Sequence, residues 1–341
     1  MEELLKVKDL RVNFHTYAGV VRAVRGVSFS LEKGEVLAIV GESGCGKTVT
    51  SKAIMRLLDR TSGKIESGSV IELEGKELVG MPKKELNRLR GKEISMIFQD
   101  SMTSLNPTMT VGKQIMENIL THEKVGKQEA RRRAKELLEL VEIPDPEGRL
   151  DNYPHQMSGG MRQRAMIAIA LACGPKILIA DEPTTALDVT IQAQLLDLLR
   201  QIQKRTDMAV ILVTHDLGIV ANFADRVQVM YAGMIVERGS VRDIFKDPRH
   251  PYTWALLSSV PSRAQESKSE LYALQGTPPD LRRPLESCPF AERCEYCMAI
   301  CRRQCPEEFS VGEGHTSACW LCHPAAPAVV PPHGIGGVGH E

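Results

Sequence analysis

The run Gly41-Glu42-Ser43-Gly44-Cys45-Gly46-Lys47-Thr48 constrains this chain more than any other stretch. It joins an apolar segment, Val36-Leu37-Ala38-Ile39-Val40, to one whose apolar residues (Val49, Ala53, Ile54, Leu57, Leu58) recur at helical spacing. Strand, glycine-rich loop and helix in that order let bare backbone N–H groups and a helix dipole converge on an anion. The spacing fits G-x-x-x-x-G-K-[ST], so Lys47 is predicted to bridge terminal phosphates as a point charge and Thr48 to place a hydroxyl on Mg2+. The predicted phosphate cradle is Ser43, Gly44, Cys45, Gly46, Lys47, Thr48 and Val49. Cys45 stands at the start of the predicted helix, where the dipole would lower its thiol pKa; it is read as a tolerated small residue, because such a loop binds through its backbone, with a reactive thiol as the alternative.

The rest of the pattern tells what surrounds such a loop. Short strands are expected at residues 4–7, 12–14 and 27–31, and apolar runs at 177–180 and 209–213 enclose a helical stretch near 191–204. Strands alternating with helices imply an α/β fold with a mostly parallel, covered sheet. Residues 99–158 read as helices; Arg131, Arg132 and Arg133 ahead of Glu136 and Glu139 read as a solvated helix face. The 177–180 strand ends in Asp181-Glu182, which makes Asp181 a candidate Mg2+ partner and Glu182 a candidate general base. Ser158 is a natural N-cap, and Gly159 and Gly160 after it leave N–H groups bare for a second anion.

Composition removes several alternatives. Lys plus Arg and Asp plus Glu both number 43, so a strongly basic nucleic-acid binder is disfavoured. The longest unbroken apolar stretch, residues 165–173, is far below the roughly 18 residues of a membrane-spanning helix. The start, Met-Glu-Glu-Leu-Leu-Lys, lacks the pattern of a signal peptide, so a cytoplasmic setting is expected.

With these motifs in place, Met157-Ser158-Gly159-Gly160-Met161-Arg162-Gln163-Arg164 resembles the signature of the ABC ATPases, departing from LSGGQ at Met157 and Met161. The resemblance implies a P-loop NTPase with a RecA-like core, an antiparallel β subdomain, a helical subdomain (about 100–160) and a small Cys-rich C-terminal module. It makes Gln99 the Q-loop glutamine that senses metal and nucleophile, Ala186-Leu187-Asp188 the D-loop, and His215 the switch histidine at the γ-phosphate. Phe14, slightly ahead of Tyr17, becomes the adenine platform. It also implies that ATP is sandwiched between one chain's P-loop and another's signature, so the partner is a second ATPase subunit, a non-identical paralogue or a second copy.

The segment from Gln99 to Pro107, the signature, His250-Pro251-Tyr252-Thr253 and the stretch from Gly276-Thr277-Pro278-Pro279 through Cys288-Pro289-Phe290 and Arg293-Cys294 look like the dipeptide/oligopeptide importer ATPases. That likeness implies two transmembrane permease subunits, indirectly a peptide-binding protein, a peripheral place on the cytoplasmic face of the membrane, and no nucleic acid. The alternative is a non-transport ABC ATPase, or one regulated through redox or zinc and associated with nucleic acid. The organisation expected is a nucleotide-binding domain over 1–258, a linker over 259–287, the Cys-rich module over 288–322 and a flexible tail over 323–341.

Seven of the nine cysteines fall after residue 287, which in a reducing compartment points to metal or cluster binding rather than disulfides. The resemblance assigns Cys288, Cys294, Cys301 and Cys319 to a [4Fe–4S] cluster. By spacing alone Zn2+ is a rival, through the pairs Cys294-x-x-Cys297 and Cys319-x-x-Cys322.

Overall fold

The computed structural model describes residues 3–60, 62–99, 104–184, 188–259 and 274–332. The expected Ala186 and Leu187 of the D-loop, four positions of the loop after Gln99, and parts of the linker and tail lie outside the described residues. In chain order the strands are β1 (Glu3–Thr16), β2 (Gly19–Glu32), β3 (Val36–Val40), β4 (Gly63–Ile65), β5 (Val70–Leu73), β6 (Lys76–Glu77), β7 (Ile94–Ile97), β8 (Ile177–Asp181), β9 (Ala209–Thr214), β10 (Arg226–Tyr231), β11 (Met234–Ser240), β12 (Phe309–Gly312) and β13 (His315–Ser317). Among the described residues no helix is long and apolar enough to cross a membrane.

The chain divides into two compact units. One takes 80–212 with 32–35; the other takes 4–31, 36–79 and the chain from 213 onward.

In the second unit the expected short strands before the loop prove to be two long ones, β1 and β2. The alternation breaks at Asp9, whose backbone is left-handed (φ 45°), two residues beyond the expected strand end at Val7. The chain does not stop there, because serine hydroxyls take over the ladder's role. The Asp9 N–H donates to Ser28 Oγ at 2.8 Å and the Arg11 N–H to Ser69 Oγ at 3.0 Å. These strands form an antiparallel sheet in the order β2-β1-β5-β6, with β4 also on β1. A second ladder in this unit runs β12-β13-β11-β10-β3, in which β10 lies parallel to β3. All five residues of β3 are buried, as an apolar run without alternation requires. The residues after 274 belong to this unit's core: Phe290 packs with Val229, Tyr231, Val236 and Tyr252.

In the first unit β7 and β8 pair in parallel, and β8 has β9 on its other side. Helices Val111–His122 and Lys127–Leu140 present Ile115, Ile119, Ala130, Ala134 and Leu138 to the interior. The arginines of the second helix lie on its outer side, paired with Asp151, Glu147, Glu129, Glu136 and Glu123. Exposed pairs of this kind add only a few tenths of a kcal/mol each. Asn118 Nδ2 and Arg164 Nη1 tie these helices to helix Gly159–Ala170 through backbone carbonyls of Ile169 and Val141.

Candidate functional site

The phosphate loop occupies the turn between β3 and helix Lys47–Ile54. Gly46 caps that helix at φ 109°, and a Cβ there would lie 2.5 Å from the carbonyl oxygen of Ala23. Only glycine satisfies both conditions. Ser43 and Gly44 are exposed, Cys45 to Lys47 are buried, and Thr48 and Val49 are half-buried. The Lys47 ammonium is held by the loop's own carbonyls, at 2.6 Å from Gly41 and 3.0 Å from Glu42, so its charge is already aimed along the loop. The β10–β11 turn braces the loop from outside, with the Gly233 N–H donating to the Cys45 carbonyl at 2.9 Å.

Cys45 is buried within the loop. Burial pushes its thiol up, outweighing Lys47 and the backbone N–H groups that pull it down. At 6% exposure it is a packed residue, and burial outweighs the pull of the helix terminus on its thiol. Cys173 is half-buried, with its thiol 3.6 Å from the Asn118 carbonyl.

His215 follows β9 as an exposed side chain, and the next residue, Asp216, caps helix Leu217–Phe223. Phe14 is half-buried on β1 opposite Gly63, while Tyr17 stands fully in solvent at the β1–β2 turn.

In the first unit the register of β7 on β8 sets Ile97 opposite Ala180. Two residues further along each strand are Gln99 and Glu182, and they meet: Gln99 Nε2 donates to Glu182 Oε2 at 2.8 Å. Asp181 is 1% exposed at the end of β8. Glu182 holds a left-handed backbone (φ 49°), a strained state for a residue with a side chain and one concentrated at functional positions. Ser158 caps helix Gly159–Ala170 as anticipated, its hydroxyl accepting the Met161 N–H at 3.3 Å. Gly159 is exposed and a Cβ there would meet nothing within 4 Å. Buried Gln163 donates to the Pro183 carbonyl, fastening this helix to the turn after Glu182. Asp188 caps helix Val189–Thr206, accepting the Ile191 N–H at 2.9 Å.

Cys288, Cys294, Cys301 and Cys319 are free thiols of the second unit. Burial pushes Cys288 up to about 12 and Cys294 up to about 11, and raises Cys301 and Cys319. They lie within electrostatic reach of one another: Cys288 feels Cys301 and Cys294, and Cys319 feels Cys288 and Cys294. Among the described residues no group of three or more His, Cys, Asp or Glu side chains is arranged to hold a metal ion. Thiolates are the donor type that iron and zinc take, but among the described residues these cysteines are not gathered into such a site.

Three site-bordering residues carry no sequence signal for what they do. Tyr252 Oη accepts the Glu42 N–H at 2.8 Å, and Arg293 grips the Glu42 carboxylate with two nitrogens at 2.6 and 3.0 Å. Tyr231 Oη accepts from the same arginine at 3.3 Å.

Residues 24–185 match the ABC transporter family, and residues 236–301 match the family described as oligopeptide/dipeptide transporter, C-terminal region. The chain is 58% identical over 332 residues to the oligopeptide transport ATP-binding protein OppD of Bacillus subtilis (strain 168), covering 97% of this chain and 92% of that protein. It is 56% identical over 321 residues to the dipeptide transport ATP-binding protein DppD of the same organism, covering 94% and 95%. Among solved structures, the dimeric post-hydrolysis state of the ATP-binding cassette MJ0796, bound to ADP and Pi, superposes with a TM-score of 0.63 at 26% identity, covering 70% of this chain and 99% of that one. The chain therefore belongs to the ABC transporter family, in the branch that carries the oligopeptide/dipeptide transporter C-terminal region.

Proposed function

We propose that this chain is the ATP-binding and hydrolysing subunit of a peptide importer, working at the cytoplasmic face of a membrane through two separate permease subunits and, indirectly, a peptide-binding protein. The observation that carries the hydrolytic part is the strained Glu182 at the end of β8, its carboxylate held by Gln99. A carboxylate oriented in this way can take a proton from an attacking water. The peptide-importer part rests on relatives whose names state oligopeptide and dipeptide transport.

In this reading the exposed N–H groups at Ser43 and Gly44 and the ammonium of Lys47 receive the β- and γ-phosphates, with Cys45, Gly46, Thr48 and Val49 completing the cradle. Thr48, Gln99 and Asp181 would hold Mg2+, which when bound neutralises charge on the phosphate oxygens. Glu182 orients and deprotonates water, and His215 contacts the γ-phosphate. Tyr17 or Phe14 stacks on adenine; the free ring of Tyr17 favours it. Ser158, Gly159, Gly160 and Asp188 serve the nucleotide of a second ATPase subunit. The open space at Gly159 supports this, since nothing in its own chain requires glycine there.

Cys288, Cys294, Cys301 and Cys319 supply four thiolates to a [4Fe–4S] cluster, with Zn2+ as the alternative; when bound, such a group cross-links the chain after residue 287. Residues 1–258, with helical subdomain 100–160, make the nucleotide-binding domain, and 288–322 the cysteine module after the 259–287 linker.

The test is ATP turnover of the chain reconstituted with its permeases. Short peptides delivered by their binding protein should raise the rate, and Glu182→Gln should abolish it. Turnover indifferent to permeases and peptide, or binding to nucleic acid that survives moderate salt, would overturn the transporter reading.

A further inference from the structure

The phosphate loop is held from the C-terminal side of the chain. Glu42, its second residue, is paired with Arg293, 251 positions later. The contact is a two-pronged guanidinium–carboxylate pair, the strongest geometry available to these groups. Arg293 is almost wholly buried, with 4% of its side chain exposed, and its remaining donors are also used. Nε donates to the Gln275 carbonyl at 3.0 Å and Nη1 to Tyr231 Oη at 3.3 Å. Tyr252 takes the Glu42 N–H, and Tyr231, Tyr252 and Phe290 pack against one another with ring centroids 4.6 to 5.5 Å apart. The carbonyl of that same Glu42 is one of the two that hold Lys47 Nζ.

Two consequences follow for a triphosphate. A carboxylate in the second position of a phosphate loop repels the ligand unless a cation offsets it, and Arg293 supplies that cation. Fixing Glu42 also fixes the carbonyl that aims Lys47. We propose that Arg293 is a positioning residue for nucleotide binding: it neutralises and anchors Glu42, so that the chain beyond residue 274 sets the affinity of the phosphate loop for ATP. This rests on the reading of that loop as the ATP site.

The test is ATP affinity by calorimetry on the full chain with Mg2+, alongside its thermal midpoint, for wild type, Arg293→Lys, Arg293→Met and the double variant Arg293→Met/Glu42→Gln. Arg293→Met should weaken ATP binding on the order of tenfold, about 1.4 kcal/mol. Arg293→Lys keeps the charge without the fork and should lose less. Removing the stranded carboxylate should recover part of the loss, so the double variant binds ATP more tightly than Arg293→Met. A fall in midpoint with ATP affinity unchanged would overturn the inference, as would a double variant weaker than Arg293→Met. Should Arg293→Met not fold, Arg293→Lys with wild-type affinity overturns it equally. A wild-type chain that binds no ATP would instead overturn the nucleotide reading, and this inference with it.

Discussion

Under the proposed function Glu182 does its chemistry from a backbone conformation that costs free energy, and the two demands can be separated. Its φ of 49° places a side chain where left-handed backbone costs about 1–2 kcal/mol. Glycine escapes that cost but loses about 0.4–1 kcal/mol through the greater freedom of the unfolded chain. Glu182→Ala and Glu182→Gly both lose the contact with Gln99, so their difference isolates the backbone. The account predicts Glu182→Gly to be the more stable by about 0.5–1 kcal/mol, the reverse of the order in ordinary strand or helix. Urea unfolding of the two variants, compared at equal slope, reads this directly. ATP turnover should fall by about 10²–10⁴ in both and in Glu182→Gln, which leaves an amide where the base stood. Glu182→Ala as stable as Glu182→Gly would refute the strain argument; Glu182→Gln turning over at the wild-type rate would refute the base assignment.

Gly46→Ala brings a Cβ to 2.5 Å from the Ala23 carbonyl at φ 109° and should cost about 3 kcal/mol, read as a lowered urea midpoint; an unchanged midpoint would contradict the packing described. Gly159→Ala, with open space around it, should change the stability of the isolated chain by less than about 1 kcal/mol while ATP-dependent pairing with a second ATPase subunit, read by light scattering, is lost; intact pairing would remove Gly159 from the shared site. His250 is fully buried, and burial pulls its imidazole pKa down to about 3, so between there and about 6.5 the unfolded chain binds a proton the folded chain does not. Its contribution is complete above about pH 6.5 and is lost as pH falls, reaching about 2 kcal/mol by pH 5. His250→Asn, whose amide oxygen can accept the Tyr252 N–H now taken by Nδ1, should flatten this part of the pH–stability curve, and equal slopes would contradict it.

The parts of the site legible in the sequence are those written in consecutive residues. An unalternating apolar run became buried β3, the G-x-x-x-x-G-K-[ST] spacing became a loop capped by a left-handed glycine, and Ser158 became an N-cap, because each depends on neighbours in the chain. The length of β1 escaped because Asp9 breaks the alternation while Ser28 and Ser69, far away in sequence, carry the ladder across the break. The state of the Cys45 thiol divides along the same line. Its helix terminus is visible in the sequence, whereas the burial that outweighs it comes from the fold. The hold of Arg293 on Glu42 lies furthest from view: the sequence offers Arg293 only as part of the importer-like stretch, and tertiary packing alone brings it to a loop 251 positions earlier.

Under the proposed function residues 43–48 grip the phosphates of ATP, with Lys47 as the essential charge. Calorimetric titration of MgATP into the wild-type chain and into Lys47→Ala tests it most directly. The account predicts one ATP bound per wild-type chain and at least about tenfold weaker binding in the variant. No binding heat from the wild type, or equal affinity in the two, would contradict it.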